Sequence, residues 1–235
     1  MEQQHTTASD TLASVWIADN EDGTYTNNVL RADFPDTDVI RVEDTYYLIS
    51  TSMHLFPGGP ILSSKDLVHW HFESYALPYD QLLALANPGQ TMDLKNGHIY
   101  DMGAWAGSIR YNQKLQKFYY LVNIQDGTPE EYAVLSVSDS ASGPWKLYRL
   151  SQRLYDPGLL FEDDGTAYVI HGQGQLYLTR LKLVDEQSGE YAIDETFIEA
   201  NESGFHDKPF FNYTDGHFNE GSHAYKISDT YYVLT

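Results

Sequence analysis

The chain has 235 residues and no cysteine, and its 34 Asp plus Glu against 14 Lys plus Arg give a formal net charge of -20. This length fits one domain with a sizeable core, and the lack of cysteine excludes a disulfide framework and cysteine-ligated metals. The acidic balance argues against nucleic-acid and anionic-membrane partners, because both are bound by cationic clusters.

Residues 1–23 are polar with little periodicity, so we expect an N-terminal arm followed by one β domain over residues 24–235. Residues 1–15 lack the basic start and apolar stretch of a secretory signal, which favours a cytoplasmic location. No apolar run approaches the length of a membrane span, so we expect no membrane partner.

Four pairs of short apolar runs follow in chain order, and turn residues separate the two runs of each pair. Runs rich in aromatic and β-branched residues are typical of strands, so each pair predicts a β-hairpin. The second run of every hairpin contains tyrosine: Tyr46-Tyr47, Tyr119-Tyr120, Tyr168 and Tyr231-Tyr232.

A third apolar run follows each of the first three hairpins, beginning at Ile61, Val134 and Leu176. Repeated antiparallel units of this kind predict an all-β fold of the β-propeller type, with about three and a half blades present and the domain incomplete at its C-terminus. A β-sandwich is the alternative. Residues 76–104 are predicted to form a long loop that shapes a binding mouth.

Three carboxylates stand immediately before the first predicted strand of units one, three and four: Asp36, Asp156 and Glu220. Because the first strand of each propeller blade lines the central channel, we expect these side chains to meet at one mouth. Trp105 occupies the corresponding place in unit two, and its ring suits stacking against a sugar. Cleavage of a glycosidic bond needs such converging carboxylates, one to protonate the leaving oxygen and one to activate water or attack.

The chain from Asn28 onward resembles glycoside hydrolase family 43, which contains β-xylosidases, α-L-arabinofuranosidases and arabinanases. The resemblance lies in ordered blocks around Phe34-Pro35-Asp36, over residues 56–70 and over residues 104–111. It implies a five-bladed propeller. The chain departs from the family pattern at Thr37-Asp38, where Pro-Ser is usual, and at Gly107, where proline is usual.

The resemblance also implies a role for each carboxylate. Asp36 matches the general base, Glu220 the general acid, and Asp156 the carboxylate that adjusts pKa and orientation. Family membership implies inversion of the anomeric carbon, for which the base and the acid should stand about 6.5–9.5 Å apart. Asp38 is a rival candidate for the base, because residues two apart on a strand share a face.

Other residues complete the predicted site. The segment containing His54 and Phe56 resembles the part of the family that lines the sugar subsite, so both are expected pocket walls beside Trp105. No cofactor is expected, and the sequence does not support a structural calcium ion. The spacing of His206, His217 and His223 matches no metal-ligand motif.

The sequence therefore predicts an exo-acting, inverting glycosidase that removes terminal xylose or arabinofuranose from plant polysaccharides or oligosaccharides. Xylo- or arabino-oligosaccharides are the expected partners. One alternative is a catalytically inactive or truncated sugar-binding propeller, since missing blades would leave the pocket incomplete. Another is a retaining, fructoside-active five-bladed enzyme. The sequence leaves open the choice between xylosidase and arabinofuranosidase, and the oligomeric state.

Overall fold

The computed structural model describes residues 17–54, 56–89, 103–125, 131–200, 211–212 and 219–235. This part of the chain consists of antiparallel β-sheets and two short helices, which confirms the predicted all-β class. No helix within these ranges is long and apolar enough to cross a membrane.

Two four-stranded sheets come first, and in each the strands pair in chain order. Sheet 1 contains β1 (Asp38–Val42), β2 (Thr45–Ile49), β3 (Gly58–Ser64) and β4 (His71–Leu77). The first helix, α1 (Tyr79–Leu85), then precedes sheet 2. This second sheet contains β5 (Ala104–Asn112), β6 (Lys117–Ile124), β7 (Tyr132–Ser138) and β8 (Lys146–Arg149).

Two further sheets follow with the same connectivity. Sheet 3 contains β9 (Gly158–Phe161), β10 (Ala167–His171), β11 (Gln175–Asp185) and β12 (Glu190–Ile193). After the second helix, α2 (Glu195–Ala200), the short β13 (Phe211–Asn212) pairs with β11. Sheet 4 is the hairpin of β14 (His223–Ile227) and β15 (Thr230–Leu234).

The four hairpins predicted from the tyrosine-rich runs are present as β1–β2, β5–β6, β9–β10 and β14–β15. Each turn contains a residue with positive φ, for example Glu43 at 55° and Ser228 at 55°. Alternating apolar residues then face the neighbouring sheets. Strand β7 is buried along its whole length, because sheet 2 packs between sheets 1 and 3.

The first strands of successive sheets lie next to one another, β1 beside β5, β5 beside β9 and β9 beside β14. Separate hydrophobic clusters fill the spaces between sheets 1 and 2, sheets 2 and 3, and sheets 3 and 4. Inner strands side by side, with a core between each pair of sheets, are the arrangement that the propeller prediction requires. The number of blades in a closed ring stays a prediction.

The structure corrects the long loop predicted over residues 76–104. Residues 76–77 complete β4, helix α1 follows directly, and Ala104 already belongs to β5. The helix forms because Leu82 is fully buried and Gln81 binds the backbone of the segment leading into β8, donating to the Trp145 carbonyl and accepting from the Leu147 N–H. Residues 90–102 lie outside the described part of the chain.

Of the predicted polar arm, residues 17–23 are described. They belong to a small turn in which Asp19 pairs with Tyr25 and the Thr26 N–H donates to the Ala18 carbonyl. Asp19 also approaches His69, with 3.4 Å between Oδ2 and Nε2. This end of the arm is therefore attached to sheet 1.

Candidate active site

One pocket brings together residues from the starts of all four inner strands. Its volume is about 430 Å³, within the range typical of small-ligand sites. The three predicted carboxylates and the predicted tryptophan all line it, although they are far apart in sequence. The lining residues are Asp36, Thr37, Met53, Trp105, Ala106, Tyr155, Asp156, Glu220, Gly221 and His223.

The four inner strands share an unusual backbone conformation at their starts. The backbone enters the left-handed region two residues before a matching position in each inner strand. That position is the first strand residue in β1, β9 and β14 (Asp38, Gly158 and His223), and it is Ser108 within β5. The φ angles are 49° at Asp36, 44° at Ala106, 48° at Asp156 and 61° at Gly221. Non-glycine residues rarely adopt this conformation, and such positions cluster at functional sites.

This repeat refines the equivalence of the three carboxylates. Asp36 and Asp156 occupy the left-handed position itself, whereas Glu220 comes one residue earlier, beside Gly221. The structural counterparts of Glu220 are therefore Trp105 and Tyr155, which also line the pocket. Sheets 1 and 3 thus contribute a carboxylate from one position, and sheet 4 contributes one from the position before it.

Asp36 is held by a hydrogen bond from sheet 1 itself. Thr51 lies two residues after the end of β2, and its hydroxyl is 2.7 Å from Asp36 Oδ2. Asp36 is exposed to the pocket. Thr51 is buried, with 3% of its surface accessible.

Asp156 is the most deeply placed of the three carboxylates, with 7% of its surface exposed. Burial raises its pKa from 3.8 to about 7, and the negative charges of Glu220 and Asp36 act in the same direction. The Gly221 N–H, 3.1 Å from Asp156 Oδ2, partly opposes this rise. Burial and neighbouring like charge are the usual causes of such a rise in a carboxyl group.

Glu220 has two hydrogen-bond donors on the same oxygen. Gln173 Nε2 lies 2.7 Å from Glu220 Oε2, and the Tyr155 hydroxyl lies 3.4 Å from it. Burial, together with the charges of Asp156 and Glu220, raises the pKa of Tyr155 to about 12. Tyr155 therefore stays a neutral hydrogen-bond donor at neutral pH.

Asp38, the rival candidate for the base, is buried and hydrogen-bonded in the protein interior. The residue is 1% exposed. Its side chain accepts hydrogen bonds from the Ser108 hydroxyl, the Ile109 N–H, the Arg110 guanidinium and the Tyr225 hydroxyl. Asp38 follows the left-handed turn at Asp36, so the two side chains do not share one strand face. Asp38 joins sheets 1, 2 and 4 beneath the pocket instead.

His223 lies between this buried network and the pocket. Its Nδ1 is 3.5 Å from Asp38 Oδ2 and 19% of its side chain is exposed. Burial lowers the pKa of His223, so the imidazole is neutral at neutral pH. A neutral imidazole at the pocket surface can exchange hydrogen bonds with hydroxyl groups.

A second pocket of about 390 Å³ adjoins the first on the side of Glu220. Tyr155 lines both pockets, and Gln173, which binds Glu220, lines the second. Aromatic and polar groups make up its wall, with His171 stacked on Tyr177 at 5.8 Å between ring centroids. Its residues are Arg153, Tyr155, His171, Gly172, Gln173 and Tyr177.

Residues 25–235 match the profile of Glycosyl hydrolases family 43. The chain belongs to this family. It is 36% identical over 157 residues to a β-xylosidase from Formosa agariphila, a match that covers 65% of this chain and 24% of that protein. It is 28% identical over 227 residues to a non-reducing end α-L-arabinofuranosidase from Bacteroides ovatus, covering 95% of this chain and 38% of that protein.

Solved family 43 structures share the fold. One, described as a glycoside hydrolase engineered to display both endo-xylanase and exo-arabinofuranosidase activity, superposes with a TM-score of 0.67 at 25% identity. That match covers 89% of this chain and 38% of the other. The chain thus spans well under half the length of these relatives, and as a family 43 member it has the propeller-type fold of the family.

Two residues predicted from the family 43 resemblance lie elsewhere in the described structure. Phe56 packs edge-on against Tyr79 of α1, with ring centroids 4.9 Å apart. Neither Phe56 nor His54 is among the residues lining either pocket around Glu220. The neighbouring Met53 lines the first pocket instead. Sugar-binding roles for His54 and Phe56 stay predictions.

Sequence reasoning missed Thr51, Tyr155 and Gln173. Tyr155 directly precedes the predicted carboxylate Asp156, and this neighbouring position was its one sequence signal. Thr51 and Gln173 gave no local signal, because each is far in sequence from the carboxylate that it binds and meets it only in the folded structure. Within the described ranges, no group of three or more His, Asp and Glu side chains is arranged to hold a metal ion. His206 and His217 lie outside those ranges.

Proposed function

We propose that the protein containing this chain is an inverting glycoside hydrolase that removes terminal xylose or arabinofuranose from oligosaccharides. The convergence of Asp36, Asp156 and Glu220 in one pocket, with Asp156 buried and influenced by the charges of the other two, carries this proposal. The relatives named as a β-xylosidase and an arabinofuranosidase support the substrate class.

In this mechanism Asp36 takes a proton from a water molecule that attacks the anomeric carbon. Glu220 gives a proton to the departing glycosidic oxygen on the opposite side. Asp156 responds to charge on both residues, since each of them contributes to the rise in its pKa. It also accepts the Gly221 N–H next to Glu220, so it helps to hold the acid in place.

The two adjoining pockets fit a substrate with a sugar on each side of the scissile bond. A general acid must stand at the boundary between the departing and the retained part of the substrate. Glu220 has this position, because it lines the first pocket and is hydrogen-bonded by Tyr155 and Gln173 of the second. We therefore assign the first pocket to the terminal sugar and the second to the leaving group.

Aryl glycosides with different leaving groups test the roles of the two carboxylates separately. Asp36→Asn should abolish hydrolysis of all aryl xylosides and arabinofuranosides, because water is no longer activated. Glu220→Gln should abolish hydrolysis of substrates with poor leaving groups. It should keep part of the activity on dinitrophenyl glycosides, because the dinitrophenolate leaving group departs without protonation. Comparing kcat/KM on the xyloside and the arabinofuranoside decides which sugar is preferred.

Glu186→Gln is the matched control, because Glu186 is exposed on the turn between β11 and β12 and lines neither pocket. It should hydrolyse both substrates at the wild-type rate. Proton NMR of the first product should show the inverted anomer. Undiminished activity in Asp36→Asn, or a first product with retained configuration, would contradict the proposed mechanism.

A further inference from the structure

Thr51 is tied to the proposed base on one side and to the neighbouring sheet on the other. Its Oγ1 lies 2.7 Å from Asp36 Oδ2, and the Ala106 N–H of sheet 2 donates to the same Oγ1 at 2.7 Å. A hydroxyl group has a single proton. Because the Ala106 N–H can only donate, Thr51 accepts from Ala106 and directs its proton to Asp36.

We propose that Thr51 is a positioning residue for Asp36. The Thr51 hydroxyl binds Oδ2 of the carboxylate and leaves Oδ1 to take the proton from the attacking water. This inference rests on the proposed function. Within the described structure, Thr51 supplies the one hydrogen bond to the Asp36 carboxylate, and it is to Oδ2. Asp36 lines the pocket, and Oδ1 has no hydrogen bond within the described residues.

The backbone around Thr51 is fixed independently of its hydroxyl. The Thr51 N–H donates to the Pro35 carbonyl at 3.0 Å, and the Ser50 hydroxyl donates to the same carbonyl at 2.6 Å. These bonds join the end of β2 to the residue before Asp36. Removal of the hydroxyl should therefore release the Asp36 side chain without releasing the segment that carries it.

The partner of Thr51 on sheet 2 has a strained backbone. Ala106 has φ of 44° and lies within a β-bulge between Trp105 and Ser108. Bulges re-aim neighbouring groups, and strain of this kind persists where the surrounding structure requires it. Here it points the Ala106 N–H at Thr51. The base is thereby linked to the strand that places Trp105 in the same pocket.

The other charged and polar side chains that share the pocket with Asp36 include Asp156, Glu220, His223 and Tyr155. Within the described residues, the Thr51 hydroxyl is hydrogen-bonded to Asp36 and Ala106 and to none of these four. Loss of the hydroxyl should therefore slow the step in which Asp36 takes a proton from water and leave substrate binding unchanged.

The test compares Thr51→Val, which removes the hydroxyl, with Thr51→Ser, which keeps it, in the full protein that carries this chain. On an aryl xyloside and an aryl arabinofuranoside, Thr51→Val should lower kcat on the order of tenfold with little change in KM. Thr51→Ser should restore kcat. Thr51→Ala provides the same test if the valine variant does not fold.

Ser136→Ala is the structural control. The buried Ser136 hydroxyl donates to the Ala76 carbonyl over 2.6 Å, and Ser136 does not line the pocket. This replacement should lower the urea midpoint without lowering kcat. A Thr51→Val enzyme with wild-type kcat would overturn the inference, while activity of the wild type would still uphold the proposed function. A wild-type protein inactive on all glycosides would overturn both.

Discussion

Replacing Asp156 by asparagine should stabilise the protein at neutral pH while it lowers activity. The folded protein holds this carboxyl with a pKa of about 7, against an ordinary value of 3.8. Since each pKa unit corresponds to about 1.4 kcal/mol, ionised Asp156 disfavours folding by up to about 4 kcal/mol at pH 8. Asparagine removes the charge and keeps an oxygen that can accept the Gly221 N–H.

The stabilisation should depend on pH in one direction. Below about pH 4 the carboxyl is protonated in both the folded and the unfolded chain, so the charge has no cost. Between about pH 4 and pH 7 the unfolded chain ionises while the folded chain retains its proton, and the cost of folding rises. We therefore expect the Asp156→Asn advantage to be about 1.5 kcal/mol at pH 5 and about 4 kcal/mol at pH 8.

Urea unfolding of the wild type and of Asp156→Asn at pH 5 and pH 8 measures the difference directly. Asp33→Asn is the control, because Asp33 is exposed and its replacement should change the unfolding free energy by less than about 0.5 kcal/mol at either pH. In the same preparations, Asp156→Asn should show a reduced kcat on aryl glycosides, since the carboxylate next to the proposed acid is gone.

Two results would refute this reasoning. An Asp156→Asn protein that unfolds at lower urea than the wild type at pH 8 would mean that the carboxylate stabilises the folded site. An equal gain at both pH values would mean that the effect comes from packing, since only an ionisation difference depends on pH.

Two further changes test how the sheets meet beneath the pocket. Asp38→Ala should lower the unfolding free energy by about 3–5 kcal/mol in urea titrations, because it leaves buried Arg110 without its carboxylate; a loss below about 1 kcal/mol would show that Asp38 has no structural role. Gly158→Ala should lower the thermal midpoint, since a Cβ there would stand 2.0 Å from the Ser222 carbonyl oxygen and force sheets 3 and 4 apart. An unchanged midpoint would contradict the close contact of these sheets.

The hairpins could be predicted because their signals are local. Tyrosine-rich runs such as Tyr46-Tyr47 stand directly after turn residues, and strand alternation needs only neighbouring residues. Helix α1 could not be predicted in the same way. It has seven residues and no side-chain cap hydrogen bond at its N-cap, Pro78, and it forms where Leu82 and Gln81 find partners on sheets that are distant in sequence.

The choice between Asp36 and Asp38 shows the same limit within the site. The two carboxylates are two residues apart at the start of β1. The family resemblance favoured Asp36 as the base and left Asp38 as a rival. The left-handed turn at Asp36 separates them, so that one lines the pocket and the other is buried against Arg110. Backbone direction at one residue decided which carboxylate lines the pocket.

The sequence by itself determined the all-β class, the order of the hairpins and the three carboxylates that stand before inner strands, because these depend on local pattern and repeat. Only the tertiary structure decided how each carboxylate behaves. Burial and the charges of distant residues raise the pKa of Asp156, and a hydroxyl from the end of β2 binds Asp36. Such properties arise from groups that are far apart in the chain, so they exist only once the sheets have packed around one pocket.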